Sequence, residues 1–208
     1  VIAEEAHKFG KHVAAHCASS EAMKRVLNAG IDTIIHGVFK EVDGTNKYRE
    51  DVAELIAEKG AYVNPTIGSA SLKIKTMERK KENGNFTEQD QEELDSINRE
   101  QEHRLECFNK LINLGVPMSA GSDSAWGQYK MGNYFEEIEA HVKGGQSPID
   151  AIMSATNIAS KSCWIDDNLG SIETGKLADI LIVKEDPTKQ IENLRTVVDV
   201  IKDGQLID

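Results

Sequence analysis

Val13-Ala14-Ala15-His16 and Ile31-Asp32-Thr33-Ile34-Ile35-His36-Gly37 decide how this sequence is read. Each is a short apolar run that ends in histidine. A third run, Pro117-Met118-Ser119-Ala120-Gly121-Ser122-Asp123, ends in aspartate. Runs of this length and composition predict strands, and each ligand-type residue falls where its strand gives way to a loop or helix. In a barrel of parallel strands, catalytic side chains gather at that carboxyl end. Two imidazoles and a carboxylate also form a common ligand set for hydrolytic zinc. His16 and His36 stand one βα unit apart, so adjacent parallel strands would bring their ends within roughly 5 Å of each other. A single strand-end histidine reads as structural. Two in successive units, followed by Gly-Ser-Asp, read as a metal site, with Asp123 placed to ligate and to accept a proton from bound water.

Outward from these runs, strand and helix signals alternate. Ser19-Ser20-Glu21 caps a helix over Ala22 to Ala29 that closes at Gly30. A helix from about Lys47 to Lys59 carries Val52, Leu55 and Ile56 on one face. Ala61 to Thr66 reads as a third strand. A charged stretch from Leu72 to Leu114 breaks at Glu82 to Phe86 and resumes as a helix capped by Thr87, with Leu94, Ile97, Leu105, Phe108, Leu111 and Ile112 on one face. Its charges predict a solvated outer surface. Val116 to Ala120 is expected as a fourth strand, followed by helices at Asn133 to Lys143 and Pro148 to Lys161, the second capped by Ser147. After Trp164 a turn-rich link leads to strands at Ala178 to Val183 and Val197 to Lys202. Asp203-Gly204 then predicts a hairpin into Gln205-Leu206-Ile207. The expected organisation is four βα units over residues 1–164 and a small β tail over 165–208.

Bulk properties narrow the function. The chain has 208 residues, 39% of them hydrophobic, enough for one core. A net charge of -11 argues against nucleic acid and anionic membranes as partners. No run of eighteen apolar residues predicts a membrane span. Cys17, Cys107 and Cys163 are too scattered for a disulfide framework or a thiolate zinc site and fit reduced thiols in the cytoplasm. Val1 to Gly10 follow a helix pattern rather than that of a signal peptide, and the chain opens in mid-pattern like the interior of something longer.

The other histidines carry less. His7, His103 and His141 lie on charged helix patterns and are expected at the surface. His12 sits at the far end of the first strand from His16. Cys17 is expected to face away from its neighbour His16. Trp126 and Tyr129 fall in a loop after the third run, where lining a pocket and an exposed or packing role are equal readings. No Gly-rich phosphate loop, Cys-x-x-Cys pair or nucleophile elbow occurs.

These residues together resemble the amidohydrolase superfamily, metal-dependent hydrolases built on a (β/α)8 TIM barrel with a β-sandwich made from both chain ends. Val13 to His16 is similar to that family's fifth strand, Ile31 to Gly37 to its sixth and Ala120 to Asp123 to its eighth. Gly170-Ser171-Ile172-Glu173-Thr174-Gly175-Lys176-Leu177-Ala178-Asp179-Ile180 resembles its link from barrel to sandwich. His36-Gly37 and Tyr62-Val63-Asn64-Pro65-Thr66 resemble the imidazolonepropionase-related and Xaa-Pro dipeptidase-like branch.

The resemblance implies an α/β fold: the strand 5–8 part of a barrel plus a small C-terminal portion of the sandwich. It implies that His16 and His36 bind one metal, zinc in the first instance. Asp123 would bind a second metal and act as general base and acid while metal-activated hydroxide cleaves a small peptide or amide. The family's His-x-His pair and bridging lysine have no counterpart in the sequence, so the chain resembles the C-terminal half. Two rival readings remain. One is an inactive half-barrel whose open strand edges make it a homo-oligomer. The other is a deaminase, disfavoured because Ser19 stands where that group carries glutamate.

Overall fold

A computed structural model describes residues 1–124 and 131–207. Helix α1 (Ile2–Lys8) leads into β1 (Ala14–His16), α2 (Ser20–Asn28), β2 (Thr33–Ile35), α3 (Glu50–Lys59) and β3 (Tyr62–Asn64). Each strand is three residues long, and the three pair in parallel in the order β1-β2-β3. The register sets Ala15 beside Ile34 and Ile34 beside Val63; one residue on, His16 lies beside Ile35 and Ile35 beside Asn64. Strand side chains alternate, so these rows face opposite ways. Ala15, Ile34 and Val63 pack into the core with Met23 and Leu27 of α2, and Val52, Ala53 and Ile56 of α3. The row of His16, Ile35 and Asn64 faces away from those helices.

The chain continues through α4 (Gly68–Glu82) and α5 (Glu88–Asn113), the latter adding Cys107, Phe108 and Leu111 to the same core. The break predicted near Glu82 to Phe86 separates the two. Helix α5 starts at the predicted cap: Thr87 accepts from the Asp90 N–H, and Asp90 accepts from the Thr87 N–H and hydroxyl, closing a capping box. Ser19 caps α2 in the same manner, its hydroxyl accepting from the Ala22 N–H.

The expected fourth strand is reduced to one parallel bridge, Val63 with Met118. The Val63 N–H donates to the Pro117 carbonyl and the Ser119 N–H to the Val63 carbonyl. The next rung of a parallel ladder would need an N–H at residue 65, and that residue is Pro65. The Ala120 N–H turns instead to the Ser154 carbonyl at 2.9 Å.

Helix α6 (Phe135–Lys143) is followed by α7 (Pro148–Ala155), capped by Ser147 as expected, and α8 (Asn157–Ser162). The single helix expected from Pro148 to Lys161 is therefore two. Thr156, at φ −127° and ψ −91°, leaves the helical region between them, and its hydroxyl back-bonds to the Ile152 carbonyl. The helix expected from Lys47 begins at Glu50, because Lys40 and Asn46 form an antiparallel bridge and Lys47 donates its N–H to the Phe39 carbonyl.

Strands β4 (Ile180–Val183), β5 (Val197–Lys202) and β6 (Gln205–Ile207) form a separate antiparallel sheet, with a 3-10 turn at Ile191–Arg195. Asp203 and Gly204 both have positive φ, 50° and 76°, the conformation that a two-residue hairpin of type I′ demands. Ile191 and Leu194 of the turn pack on Ile138 of α6 and Ala151 of α7. No helix among the described residues is long and apolar enough to cross a membrane.

The capping box gives a direct stability test. Thr87→Ala should cost about 1 kcal/mol in urea denaturation. Lys80, followed by Thr87, holds the Asp90 carboxyl at about 2, below its ordinary 3.8. Because the folded value is depressed, the stability Asp90 adds is complete above about pH 4 and is lost as pH falls toward about 2. Denaturation midpoints of native chain and Asp90→Asn should therefore converge at the acid end of that window.

A candidate metal centre at the strand ends

His16 closes β1 on the open row of the sheet and is exposed. His36 follows β2 one residue beyond the Ile35 that pairs with His16. Strict alternation would send its side chain toward the helices, as Ile34 goes. Instead His36 takes φ 70° and its ring lies edge-to-face with that of His16, centroids 4.6 Å apart. The left-handed residue thus restores the facing that the strand parity would have lost. Its N–H donates to the Asn64 carbonyl at 2.8 Å, tying the turn to β3.

The His36 ring is oriented from behind. Nδ1 lies 2.7 Å from Thr66 Oγ1, which leaves Nε2 as the nitrogen available to a ligand. Burial lowers the pKa of His36, and the neighbouring His16 lowers it further; Asp123 acts in the opposite direction. The ring is thereby kept in the neutral form that binds metal. Asp123, exposed and at φ 49°, stands at the end of the third run, near enough for its charge to be felt at His36.

His16, His36 and Asp123 therefore gather at one end of the sheet as a pair and a separate carboxylate. Among the described residues no three His, Cys, Asp or Glu side chains form a group that could hold one ion. The donor set nevertheless suits a divalent metal: two imidazoles side by side, one with its second nitrogen already engaged.

Sequence reading missed what holds this end in place. Thr66, at φ 48°, is a β-branched residue in the left-handed region, a conformation that persists only when its surroundings enforce it. Arg104 of α5 donates to the carbonyls of Pro65 and Thr66, and Gln101 Nε2 donates to the Ile67 carbonyl at 3.1 Å. From the other side Glu137 of α6 accepts from the N–H groups of Ile67 (3.0 Å) and Gly68 (2.5 Å). Gly68 is needed there because a Cβ would lie 2.6 Å from the Glu137 nitrogen.

Two expectations about histidine fail. His141 is not a surface residue but fully buried, its ring against Phe108 at 4.8 Å and Nδ1 3.0 Å from Gln146 Oε1. Its Nε2 lies 3.4 Å from Glu137 Oε1 without hydrogen-bond alignment. His103 is half-buried, with Nε2 3.1 Å from the Phe39 carbonyl, because α5 lies across the loop that follows β2. The other two stand as expected. His7 is exposed, and His12 meets Thr33 Oγ1 at 2.8 Å at the opposite end of the sheet from His16. Trp126 and Tyr129 lie outside the described residues.

A sequence profile of the amidohydrolase family matches residues 1–207, and the chain belongs to that family. Among solved structures it is similar to an Xaa-Pro dipeptidase determined with methionine bound in its active site. The two are 33% identical over 99% of this chain and 47% of that protein, with a TM-score of 0.76. It shares its fold with ochratoxinase of A. niger, at 24% identity over 99% of this chain and 43% of that one (TM-score 0.75). It also shares it with a molinate hydrolase, at 23% identity over 100% and 44% (TM-score 0.74). The chain thus spans somewhat under half the length of these structures. No curated protein sequence matches it.

Cysteine is not part of the centre. Cys17 faces the core, as alternation predicts, and burial pushes its thiol up to about 11. Burial pushes Cys107 up to about 12, although its sulfur lies 3.4 Å from His103 Nε2. Cys163 alone is exposed. Titration with a disulfide reagent at about pH 8 should therefore find one fast thiol in the native chain and all three after denaturation. A fast-reacting Cys17, read by mass spectrometry, would contradict this account of the first strand.

Proposed function

We propose that this chain carries the C-terminal share of a two-metal site that hydrolyses amide or peptide C–N bonds, with small Xaa-Pro-like peptides as substrate class. The observation that carries the reading is the His16–His36 pair: two imidazoles edge-to-face at adjacent parallel strand ends, one anchored through Nδ1 by Thr66. In this proposal residues 1–164 form the strand 5–8 part of a (β/α)8 barrel, and residues 165–208 form part of a sandwich. Membership in the family and the likeness to a dipeptidase support the assignment.

His16 and His36 would hold one divalent metal, zinc by the softness of its imidazole ligands, and Asp123 would hold its neighbour. When bound, such metals polarise the scissile carbonyl and lower the pKa of water at the site. Asp123 takes a proton from the attacking water and returns it to the leaving nitrogen, general base and then general acid at one carboxylate. The buried Thr66 keeps His36 from rotating during turnover. Ser19, whose hydroxyl caps α2, leaves no acid at the position where a deaminase would need one.

A second reading has its own support: β1 lies at the edge of the sheet with Ala14 and His16 exposed, so it could pair with a second copy. Metal analysis and sedimentation separate the two. Under the first reading the purified chain binds zinc, and His16→Ala or His36→Ala abolishes that binding. In the whole protein, Asp123→Asn lowers Xaa-Pro dipeptide hydrolysis by about 10²–10⁴-fold while leaving the zinc at the histidine pair. Zinc retained in both histidine variants would remove the basis for the assignment.

A further inference from the structure

We infer that Glu137 is a positioning residue for the strand-end centre: it acts through the backbone of Ile67 and Gly68 on Thr66, and through Thr66 on the His36 ring. The inference takes from the proposed function only that the orientation of His36 matters. Its geometry stands by itself.

Glu137 is 0% exposed, and its two carboxylate oxygens are each committed to a backbone N–H, Oε1 to Ile67 and Oε2 to Gly68. These groups open α4, so the carboxylate occupies the positive end of a fifteen-residue helix. It is held at that spot by close backbone contact, since Gly68 has no room for a Cβ against the start of α6. Immediately before this grip comes Thr66, buried and left-handed, whose Oγ1 meets His36 Nδ1 at 2.7 Å.

The opposite side of the same four residues is held by α5. Arg104 donates to the Pro65 and Thr66 carbonyls, and Gln101 to the Ile67 carbonyl. A β-branched residue relaxes from positive φ if either side lets go, and relaxation here swings Oγ1 away from the imidazole. With both sides in place, Thr66 Oγ1 stands where it accepts from His36 in the Nδ1–H tautomer, the form that leaves Nε2 for a ligand. Among the described residues no hydrogen bond joins Glu137 to His16, His36 or Asp123; its charge is felt at His36 and raises that pKa, but its hold on the orientation of the ring runs through the main chain.

Histidine-specific nitrogen NMR of the metal-free chain at about pH 8, where imidazoles are neutral, reads this directly. The native chain should show His36 as the Nδ1–H tautomer. Glu137→Gln, isosteric but with an amide NH2 facing one of the two N–H groups, should convert that signal to a mixture, as should Thr66→Val. The double variant should look no worse than Thr66→Val alone, because one effect passes through the other. Zinc affinity should fall about 10–100-fold in each single variant.

A native His36 signal in a folded Glu137→Gln chain with a lowered melting temperature would reduce Glu137 to a structural role and overturn the inference. So would additive effects in the double variant, or an Nε2–H tautomer in the native chain. If Glu137→Gln does not fold, Glu137→Asp, which keeps the charge but shortens the reach to the Ile67 and Gly68 N–H groups, takes its place: a shifted His36 signal supports the inference and an unchanged one overturns it. A native chain that binds no zinc, yet loses its His36 tautomer in Glu137→Gln, would sink the metal reading and uphold the positioning role.

Discussion

The parallel ladder that sets β1 beside β2 and β2 beside β3 is the constraint on which the site depends. It places His16, Ile35 and Asn64 in one row and Ala15, Ile34 and Val63 in the other. A slip of one residue in either pairing would exchange the rows and bury His16 among α2 and α3. The fully buried Ile34 and Val63 oppose that slip, since it would turn both away from the helices. At roughly 1.5–3 kcal/mol for a fully buried aliphatic side chain, a few such residues outweigh any preference of three-residue strands. The apolar face fixes the register, and the register delivers the histidine.

The helix layer does a second job by burying charge. Glu136 and Glu137 are adjacent, 6% and 0% exposed, and neither could be buried unpaired without large cost. Their partners differ in kind. Glu136 meets Lys75 of α4 at 2.7 Å and Arg195 of the 3-10 turn at 2.9 Å, so it joins three separate pieces of the fold. Glu137 meets backbone N–H groups at the start of α4. One carboxylate therefore fastens α4 along its length and the other fixes its beginning, the point from which Thr66 reaches the strand ends.

Much of this was legible in the sequence. The two histidine-ended strands, the Ser19 and Thr87 caps, the core-facing Cys17 and the Asp203-Gly204 hairpin each follow from local chemistry that tertiary contacts did not override. The misreadings share a cause: they depended on which element lies next to which. Pro65 is plain in the sequence, but that it stops a ladder with residue 119 needs the register. His141 and Glu137 lie off the apolar stripe of Phe135, Ile138 and Val142, which predicts exposure for a helix with one free face. Helix α6 has none to spare, being packed against α4, α7 and the 3-10 turn at once. Thr66 gave no signal at all, because a left-handed threonine is visible only in the backbone.

Pairing the histidines required a departure from regular structure that sequence periodicity argues against. His16 lies in the outward row by ordinary alternation, and His36, one residue past that row, would by the same rule point into the helices. Positive φ at His36 corrects the facing, and positive φ at Thr66 brings a hydroxyl behind the corrected ring. Conformations of this kind cost on the order of 1–3 kcal/mol each. Nothing in strands of three residues could hold them. The holding force comes from α5 and α6, through Arg104, Gln101 and Glu137, three polar side chains spent on main-chain atoms of one short loop. Their common target is the main chain from Pro65 to Gly68, so the helix layer fixes the backbone from which Thr66 reaches His36 as well as covering the sheet.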